Sequence, residues 1–267
     1  MKKPNVCVLR TGGTNCDKET AFAFEAVGAN AEFVHIKALV EGKLSLKEYQ
    51  IIALPGGFTY GDDIASGKIF ANELKYALLE QLKEFVREGK LIIGICNGFQ
   101  ILVKSGLLPG NEAFAQEVSL IINDSGKFED RWVYLRLPRR HAATSLVKCA
   151  WTRGLPEIIY LPVAHGEGKF VVKDNVVLMR LKNNHQIVFQ YCDSAGTLSG
   201  YPDNPNGSVE HIAGICDETG RIFGLMPHPE RHINVTQHPR WEKGRRGSEG
   251  DGLQIFRNGV EYIKKNF

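Results

Sequence analysis

Short apolar segments alternate with helix-like segments in the first third of the chain, and this order constrains the fold more than any other feature. Strand-like runs cover residues 6–9, 31–36, 51–54 and 91–95, and helical periodicity covers residues 17–27 and 72–87. Strands and helices in this alternation form a parallel sheet with helices on both faces. Ligands bind beyond the carboxyl ends of such strands. The loops TGGTNCD, PGGFTYGD and GICNG are therefore the segments in which a site is expected.

The second half of the chain contains more strand-like runs. They cover residues 118–122, 132–137, 170–172, 176–179, 187–191, 212–215 and 222–225. No repeat, low-complexity tract or linker interrupts the 267 residues. We therefore predict a single α/β domain over residues 1–267, with a mostly parallel central sheet, helices on both faces and additional β-structure in the second half.

Composition and charge exclude several classes of protein. The apolar run after MKKPN is far shorter than a signal peptide requires, and no run approaches the ~18 residues of a membrane span, so a cytoplasmic protein is expected. Six dispersed cysteines without a CxxC pair indicate reduced thiols. A net charge of +3 is too small for a nucleic-acid-binding stripe. The one basic cluster is predicted to be a solvated loop, with an active-site rim or a partner contact as the alternative; it comprises Arg240, Lys243, Arg245 and Arg246.

Cys96 has the surroundings of a nucleophile. It follows an apolar run, precedes a helical pattern over residues 98–104, and has Gly94 and Gly98 two residues away on either side. A nucleophile on a sharp strand-to-helix turn needs small neighbours at these positions. The helix N-terminus favours a thiolate over a thiol, and the turn directs the Asn97 N–H toward an oxyanion. The alternative is a buried cysteine that only packs.

A thiolate nucleophile needs a base, and His228 in MPHPER is the candidate. The prolines on either side of it hold the backbone extended, so Glu230, two residues on, is predicted to lie on the same side and to orient the imidazole. A metal site of His228, Glu230 and His232 and a purely structural turn are the alternatives.

The remaining glycine-rich loops give weaker signals. Gly57 in PGGFTYGD can let the backbone approach a ligand and is a candidate for a second oxyanion donor. TGGTNCD does not by itself indicate a phosphate loop. Gly-Lys occurs five times but never before Ser or Thr, so the sequence contains no Walker A loop.

Several motifs together resemble a known family. GICNGFQ, PGGFTYGD and MPHPER are similar to the class I (triad) glutamine amidotransferases. TNCD, LPVAHGEGKF, NPNGS and IAGI resemble the branch that supplies ammonia to a synthetase of purine biosynthesis. The resemblance covers nearly the whole chain in the right order. It implies a flavodoxin-like amidotransferase domain that hydrolyses glutamine through a cysteine thioester.

The resemblance also implies roles for individual residues. Cys96 would be the nucleophile, His228 the general acid and base, and Glu230 its orienting group. Gln100 and the loop residues His165, Gly166 and Glu167 would contact the substrate glutamine. The chain departs from the family pattern at Thr11, Gly12 and Asp63.

The same resemblance implies a division of labour between subunits. This chain would need no metal or cofactor of its own. ATP and Mg²⁺ would be used by a large synthetase subunit, to which a small bridging subunit would be added, and neither nucleic acid nor membrane would be a partner. A glutaminase of this kind is expected to be slow without the synthetase.

Three other functions remain open from the sequence. A cysteine peptidase or related hydrolase can use the same strand-to-helix turn. A non-catalytic regulatory module can retain the old site for binding alone. An amidotransferase for another acceptor would keep the chemistry and change the partner.

Overall fold

The computed structural model describes residues 3–62, 64–111, 113–138, 148–243 and 249–267. Asp63 and two residues of the basic cluster, Arg245 and Arg246, lie outside these ranges. The strands are β1 (Asn5–Arg10), β2 (Asn30–His35), β3 (Ile51–Leu54), β4 (Leu91–Ile95), β5 (Val118–Ile121), β6 (Glu129–Arg136), β7 (Ile158–His165), β8 (Lys169–Val172), β9 (Ile187–Cys192), β10 (Ile212–Cys216) and β11 (Ile222–Leu225). The α-helices are α1 (Asp17–Ala26), α2 (Ile36–Val40), α3 (Lys68–Ala77), α4 (Leu79–Arg87), α5 (Asn97–Lys104), α6 (Asn175–Asn183) and α7 (Leu253–Asn266).

Most of the strands pair in one mixed sheet of nine strands, in the order β2-β1-β3-β4-β11-β10-β9-β6-β7. Pairing is parallel from β2 to β11 and antiparallel from β11 to β7. In this sheet, β10 and β6 run against the other strands. β5 and β8 form a separate antiparallel pair. The predicted α/β class, with a mostly parallel sheet and added β-structure in the second half, is confirmed.

The strand order also places helices on both faces of the sheet. From β1 the chain crosses to β2 on one side, whereas β3 and β4 follow on the other side. Right-handed crossovers in opposite directions put their helices on opposite faces. Accordingly, α1 packs against β1 and β2 together with α7, while α5 packs against β3, β4 and β11 together with α3.

The middle of the sheet explains where the site lies. Strands β3, β4 and β11 are buried at every residue, which is why their sequences are continuous apolar runs. They are neighbours and parallel, so their carboxyl ends meet at one edge of the sheet. The loops that carry Gly57, Cys96 and His228 follow these three strands. The fold therefore brings together segments that are far apart in the sequence.

Two predictions of local structure are wrong. Residues 176–179 belong to helix α6, whose first turn is capped by the Asp174 side chain, which accepts a hydrogen bond from the Val177 N–H at 2.9 Å. Val176 and Met179 are exposed, so their apolar character does not report burial in a strand. The single helix predicted over 72–87 is two helices, because Leu78 leaves the helical conformation with φ −123°. Strand β7 was not predicted.

The longest described helix, α7, has 14 residues. Within the described ranges, no helix combines the length and apolar character that crossing a bilayer requires.

Candidate active site

Cys96 lies in the predicted sharp turn between strand β4 and helix α5. Its backbone has a positive φ of 51° with ψ −106°. A Cβ added at Gly94 would lie 2.6 Å from the Gly98 carbonyl oxygen, and one added at Gly98 would lie 1.8 Å from the Leu54 carbonyl oxygen. Neither position has room for a side chain. The close approach of backbone to backbone therefore explains the glycine on each side of the cysteine.

His228 follows strand β11, the neighbour of β4 in the sheet. Its backbone N–H donates to the Pro162 carbonyl oxygen at 2.8 Å, and its Nδ1 lies 2.6 Å from Glu230 Oε1. Both side chains are almost completely buried. The structure places Glu230 beside His228, as the sequence predicts. The backbone is extended at His228 itself, with φ −104° and ψ 90°, but the predicted extension does not continue through the next residues. Residues 229–231 form a 3-10 turn, and this turn brings the carboxylate to the ring.

The environment of His228 favours its protonated form. Burial disfavours the charged imidazolium, but the Glu230 carboxylate and the sulfurs of Cys96 and Cys16 outweigh burial and raise the pKa of His228 well above its ordinary value. The carboxylate at Nδ1 fixes the ring so that Nε2 is the edge left for chemistry. The imidazole can therefore accept a proton from a neighbouring thiol and keep it until a leaving group takes it.

A cavity of about 260 Å³ opens onto these side chains. Its walls include Cys96, Gln100 of α5, Gly57 after β3 and His228. The end of β7, with Ala164 and His165, and the loop that follows it, with Gly166 and Glu167, complete the lining. The structure thus brings the predicted nucleophile, base and substrate-contacting residues to one cavity. Glu230 lies behind His228, away from that lining.

Asn97 and Gln100 tie the start of α5 to the neighbouring loops. Asn97 Oδ1 accepts a hydrogen bond from the Thr59 hydroxyl at 2.7 Å, and Asn97 Nδ2 donates to Gln100 Oε1 at 2.9 Å. Gln100 Nε2 donates to the Glu167 carbonyl oxygen at 2.6 Å. Both side-chain amides are engaged within the protein. The backbone N–H of Asn97 is at the first position of α5, where helix geometry supplies no acceptor.

His165 is held by two buried asparagines. Its Nδ1–H donates to Asn123 Oδ1 at 3.1 Å, and its Nε2 lies 3.5 Å from Asn206 Nδ2. Burial lowers the pKa of His165 to about 3, with a smaller contribution from His228, so the ring is neutral at ordinary pH. The ring also packs on Gly168, where an added Cβ would lie 2.2 Å from it. The side chain therefore holds the loop in place with its own ring nitrogens occupied.

Sequence reasoning missed several residues of the site. Cys16 and Asp62 lie in two loops where the sequence predicts a site, TGGTNCD and PGGFTYGD, and both line the cavity. Asp62 accepts hydrogen bonds from the Ser66 hydroxyl and the Gly67 N–H, and burial raises the pKa of its carboxyl. Arg231 donates to Cys16 Sγ at 3.0 Å. All three residues lie inside motifs that carry the family resemblance, TNCD, PGGFTYGD and MPHPER, but nothing in the sequence singled out their side chains.

The alternative metal site of His228, Glu230 and His232 is not supported. His232 Nδ1 lies 2.8 Å from the Tyr160 carbonyl oxygen, and its ring packs edge-on against Trp132. Among the described residues, the acidic, histidine and cysteine side chains close enough to share an ion are Cys16, His228 and Glu230. A different cysteine thus takes the place that the prediction gave to His232.

A cysteine at a strand-to-helix turn, beside a buried histidine that a carboxylate orients, defines a class of proteins with the machinery for thiol-dependent acyl transfer. A family model described as the CobB/CobQ-like glutamine amidotransferase domain matches residues 3–263. The chain belongs to this family of glutamine amidotransferases.

Within this family, the chain is similar to a particular group of relatives and solved structures. The chain is 48% identical to the phosphoribosylformylglycinamidine synthase subunit PurQ of Dehalococcoides mccartyi, over 99% of this chain and 100% of the relative. It is 44% identical to the PurQ subunit of Archaeoglobus fulgidus, over 97% of each chain. A chain in the structure of PurLQS from Thermotoga maritima matches with a TM-score of 0.73 and 32% identity, over 98% of this chain and 100% of that one. A putative GMP synthase subunit from Thermoplasma acidophilum, at 14% identity and a TM-score of 0.55 over 99% of each chain, shares the fold.

Proposed function

We propose that this chain is the glutaminase subunit of phosphoribosylformylglycinamidine synthase. It would hydrolyse glutamine to glutamate and ammonia, and the ammonia would convert formylglycinamide ribonucleotide to the amidine in purine biosynthesis. The observation that carries the proposal is the buried Cys96, His228 and Glu230 cluster at the carboxyl edge of the sheet. Similarity to PurQ subunits along nearly the whole chain supports the choice of acceptor.

The reaction begins at Cys96. His228 takes the thiol proton, and the thiolate attacks the side-chain amide carbon of glutamine. The negative charge that develops on the amide oxygen is stabilised by the backbone N–H groups of Gly57 and Asn97. The imidazolium then gives its proton to the departing nitrogen, which leaves as ammonia. A γ-glutamyl thioester remains on Cys96.

The second half returns the enzyme to its starting state. His228 removes a proton from water, and the hydroxide attacks the thioester carbon. The carbon–sulfur bond breaks, the proton passes to Cys96 Sγ, and glutamate leaves. Glu230 holds the imidazole throughout and stabilises its charged form.

The substrate is held by the groups around the cavity. Gln100, His165, Gly166 and Glu167 are proposed to position the amino-acid end of glutamine. The ring of His165 and the amide of Gln100 are already hydrogen-bonded within the protein. The loop after β7 would therefore contact glutamine mainly through its backbone. The hydrogen bond from Gln100 to Glu167 keeps that loop at the cavity.

The ATP-dependent step is assigned to other chains. A large synthetase subunit would use ATP and Mg²⁺, and a small bridging subunit would complete the assembly. This chain is proposed to act without a metal or cofactor of its own and to deliver ammonia to the synthetase.

Covalent labelling tests the glutaminase reaction directly. The purified chain is treated with an electrophilic glutamine analogue, with and without excess glutamine, and the modified residue is mapped by peptide mass spectrometry. We expect labelling at Cys96 that glutamine suppresses. Labelling at Cys96 that ignores glutamine would instead indicate a reactive thiol without a glutamine pocket, as in the peptidase alternative. If no residue is labelled, the experiment is repeated with the synthetase present.

Variants of the three residues separate their roles. Cys96→Ala and His228→Ala should each lower glutamine hydrolysis by about 10⁴-fold or more, while Glu230→Gln should cost roughly one to two orders of magnitude less. Cys192→Ala, at a buried cysteine outside the cavity, is the matched control. Circular dichroism checks that each variant keeps the fold. Full activity in Cys96→Ala would contradict the mechanism.

A further inference from the structure

The loop between strand β1 and helix α1, which carries TGGTNCD, lies directly against the segment that follows β3. The Phe58 N–H donates to the Gly13 carbonyl oxygen at 2.9 Å, and the Cys16 N–H donates to the Gly56 carbonyl oxygen at 3.1 Å. Residues 13–16 thus hold the segment after β3 through backbone hydrogen bonds, and we call them the first-loop clamp. The sequence alone gave this loop no role in the site.

These hydrogen bonds fix the direction of the peptide unit between Gly56 and Gly57. The Gly56 carbonyl oxygen accepts from the Cys16 N–H and also, at 3.4 Å, from the Asn15 N–H, so it points toward the clamp. In this trans peptide the carbonyl and the N–H point in opposite directions. The Gly57 N–H therefore points away from the clamp, and it has no acceptor within the described part of the chain. Two consecutive glycines permit many orientations, so a neighbour must impose the one observed.

The direction of the Gly57 N–H leads toward the nucleophile. In the sheet, β3 lies between β1 and β4. The clamp follows β1 and Cys96 follows β4, so an N–H after β3 that points away from the clamp faces the side of Cys96. A Cβ added at Gly56 would lie 3.5 Å from Cys96 Cβ and 2.8 Å from His228 Cε1. Gly57 itself lines the cavity of about 260 Å³.

We propose that the first-loop clamp is the positioning element of the oxyanion hole, and that it directs the Gly57 N–H toward the amide oxygen of glutamine when Cys96 attacks. This role rests on the proposed glutaminase function. Gly13 is the residue on which the clamp depends, because its φ is +89° and an added Cβ would lie 2.0 Å from the Phe58 carbonyl oxygen. A larger residue at this position must separate the clamp from the segment after β3.

Thr14 gives the clamp its own internal support. Its hydroxyl accepts a hydrogen bond from the Thr11 N–H at 3.1 Å, and its N–H donates to the Thr11 carbonyl oxygen at 3.2 Å. Thr14 also faces Gly57 in an isolated antiparallel pair. A Cβ added at Gly57 would lie 3.0 Å from Thr14 Cα and 2.6 Å from the Gly13 carbonyl oxygen. The close fit of the clamp therefore explains the glycine at position 57.

Two adjacent glycines provide a matched test. Gly13→Ala disturbs the clamp, whereas a Cβ added at Gly12 meets no atom within 4 Å. Glutamate release is measured over a range of glutamine concentrations with the synthetase subunit present. Because an oxyanion contact is made only in the transition state, Gly13→Ala should lower kcat by about 10²–10³-fold, the loss typical of one oxyanion donor, and leave KM nearly unchanged. Gly12→Ala should keep both constants.

Two further measurements need no turnover. Glutamine should protect Cys96 of Gly13→Ala from the electrophilic analogue at the same concentrations as in the unaltered chain, which a general loss of structure would not allow. The Phe58 amide should exchange with solvent faster in Gly13→Ala than in Gly12→Ala, because its hydrogen bond to the clamp is lost. Hydrogen exchange followed by mass spectrometry measures this difference.

A second pair of variants keeps the test decisive if Gly13→Ala does not fold. Thr14→Val removes the hydroxyl that accepts from Thr11 and keeps the branched shape, so it should lower kcat by a smaller factor than Gly13→Ala. Thr14→Ser retains the hydroxyl and should restore kcat.

Equal kcat in Gly13→Ala and Gly12→Ala would overturn the positioning role, as would a change in KM alone. Equal kcat in Thr14→Val and Thr14→Ser would overturn it where Gly13→Ala does not fold. An unaltered chain that releases no glutamate, alone or with the synthetase, would instead refute the glutaminase function. Exchange of the Phe58 amide in the two glycine variants would then still show whether the clamp holds the segment after β3.

Discussion

Cys96 adopts a positive φ that costs a residue with a side chain about 1–3 kcal/mol. Both of its backbone groups are nevertheless satisfied, since its N–H donates to the Leu225 carbonyl oxygen at 2.8 Å and its carbonyl oxygen accepts from the Gln100 N–H at 3.1 Å. Strand β11 and helix α5 therefore hold the turn from both sides. The strained turn places the Cys96 sulfur at the start of helix α5. The residue is only 6% exposed there.

His165 gives the chain a pH dependence that a substitution can isolate. Burial and the neighbouring His228 lower the pKa of His165 to about 3, whereas an unfolded histidine titrates near about 6.5. Between these values the unfolded chain binds a proton that the folded chain does not. The contribution of His165 to stability is therefore complete above about pH 6.5 and is lost as the pH falls toward 3, by at most about 1.4 kcal/mol per pH unit.

Urea unfolding at pH 7 and pH 5 measures this dependence. His165→Asn should lose less free energy of unfolding between the two pH values than the unaltered chain, although it is less stable at both. Gly200→Ala is the control, because it alters no titratable group and its added Cβ meets no atom within 4 Å, so it should keep the slope of the unaltered chain. Equal slopes for His165→Asn and the unaltered chain would show that the ring does not stay neutral in the fold.

At the scale of elements, the contact of α5 with β3 determines where the nucleophile lies. Gly98 of α5 meets the end of β3, and a Cβ there would lie 1.8 Å from the Leu54 carbonyl oxygen. Backbone cannot rotate away as a side chain can, so Gly98→Ala must push the helix from the strand. We expect a loss of about 1–3 kcal/mol in the free energy of unfolding, and a lower glutaminase rate because the Cys96 turn shifts. Urea denaturation and glutamate release measure the two effects.

Gly200→Ala is the control for that variant. An added Cβ at Gly200 meets no atom within 4 Å, so its effect should stay within about 0.5 kcal/mol. If Gly98→Ala were as stable and active as Gly200→Ala, the close packing of α5 on β3 would not be needed for the site.

The elements that could be predicted from the sequence are those in which pattern and burial agree. Strands β3, β4 and β11 are buried throughout, and their apolar runs predicted them. A strand was wrongly predicted over residues 176–179 because Val176 and Met179 are apolar but exposed. The segment is helical, and the Asp174 side chain caps its first turn. The break at Leu78 leaves the apolar spacing unchanged, so periodicity cannot detect it.

Some residues of the candidate site could likewise be predicted from the sequence, and others could not. Cys96 and the pair of His228 with Glu230 were predictable because each has a local sequence context, glycines for the first and prolines for the second. Cys16 and Asn123 were not, because their importance comes from side chains far along the chain: Arg231 for Cys16 and His165 for Asn123. The catalytic and substrate-binding roles themselves stay predictions until the variants are measured.

At the scale of the whole molecule, the antiparallel part of the sheet, strands β10, β9, β6 and β7, leads back to the site at the ends of the parallel strands. β7 is the last strand of the sheet order, yet its Pro162 accepts a hydrogen bond from the His228 N–H. The Cys96 Sγ lies 3.7 Å from the carbonyl oxygen of Ala164 in the same strand. The sheet must therefore curve back on itself. The second half of the chain supplies one wall of the cavity as well as the histidine.

That arrangement allows a partner to control the rate. The β7 loop, held to α5 by the hydrogen bond from Gln100 to Glu167, is one wall of the cavity, and a subunit that presses on this loop would change how glutamine lies against Cys96. We expect the isolated chain to hydrolyse glutamine slowly, and the synthetase subunit with ATP and the ribonucleotide to raise the rate by about 5–150-fold, the usual size of coupling between sites. Glutamate release, measured with and without that subunit, tests this. In the Cys96→Ala complex glutamate release should stay at background, while added ammonium salt should still yield the amidine, because only the ammonia source is lost. Rapid hydrolysis by the isolated chain, unchanged by the subunit, would mean that the site is already in its active form and needs no partner to complete it.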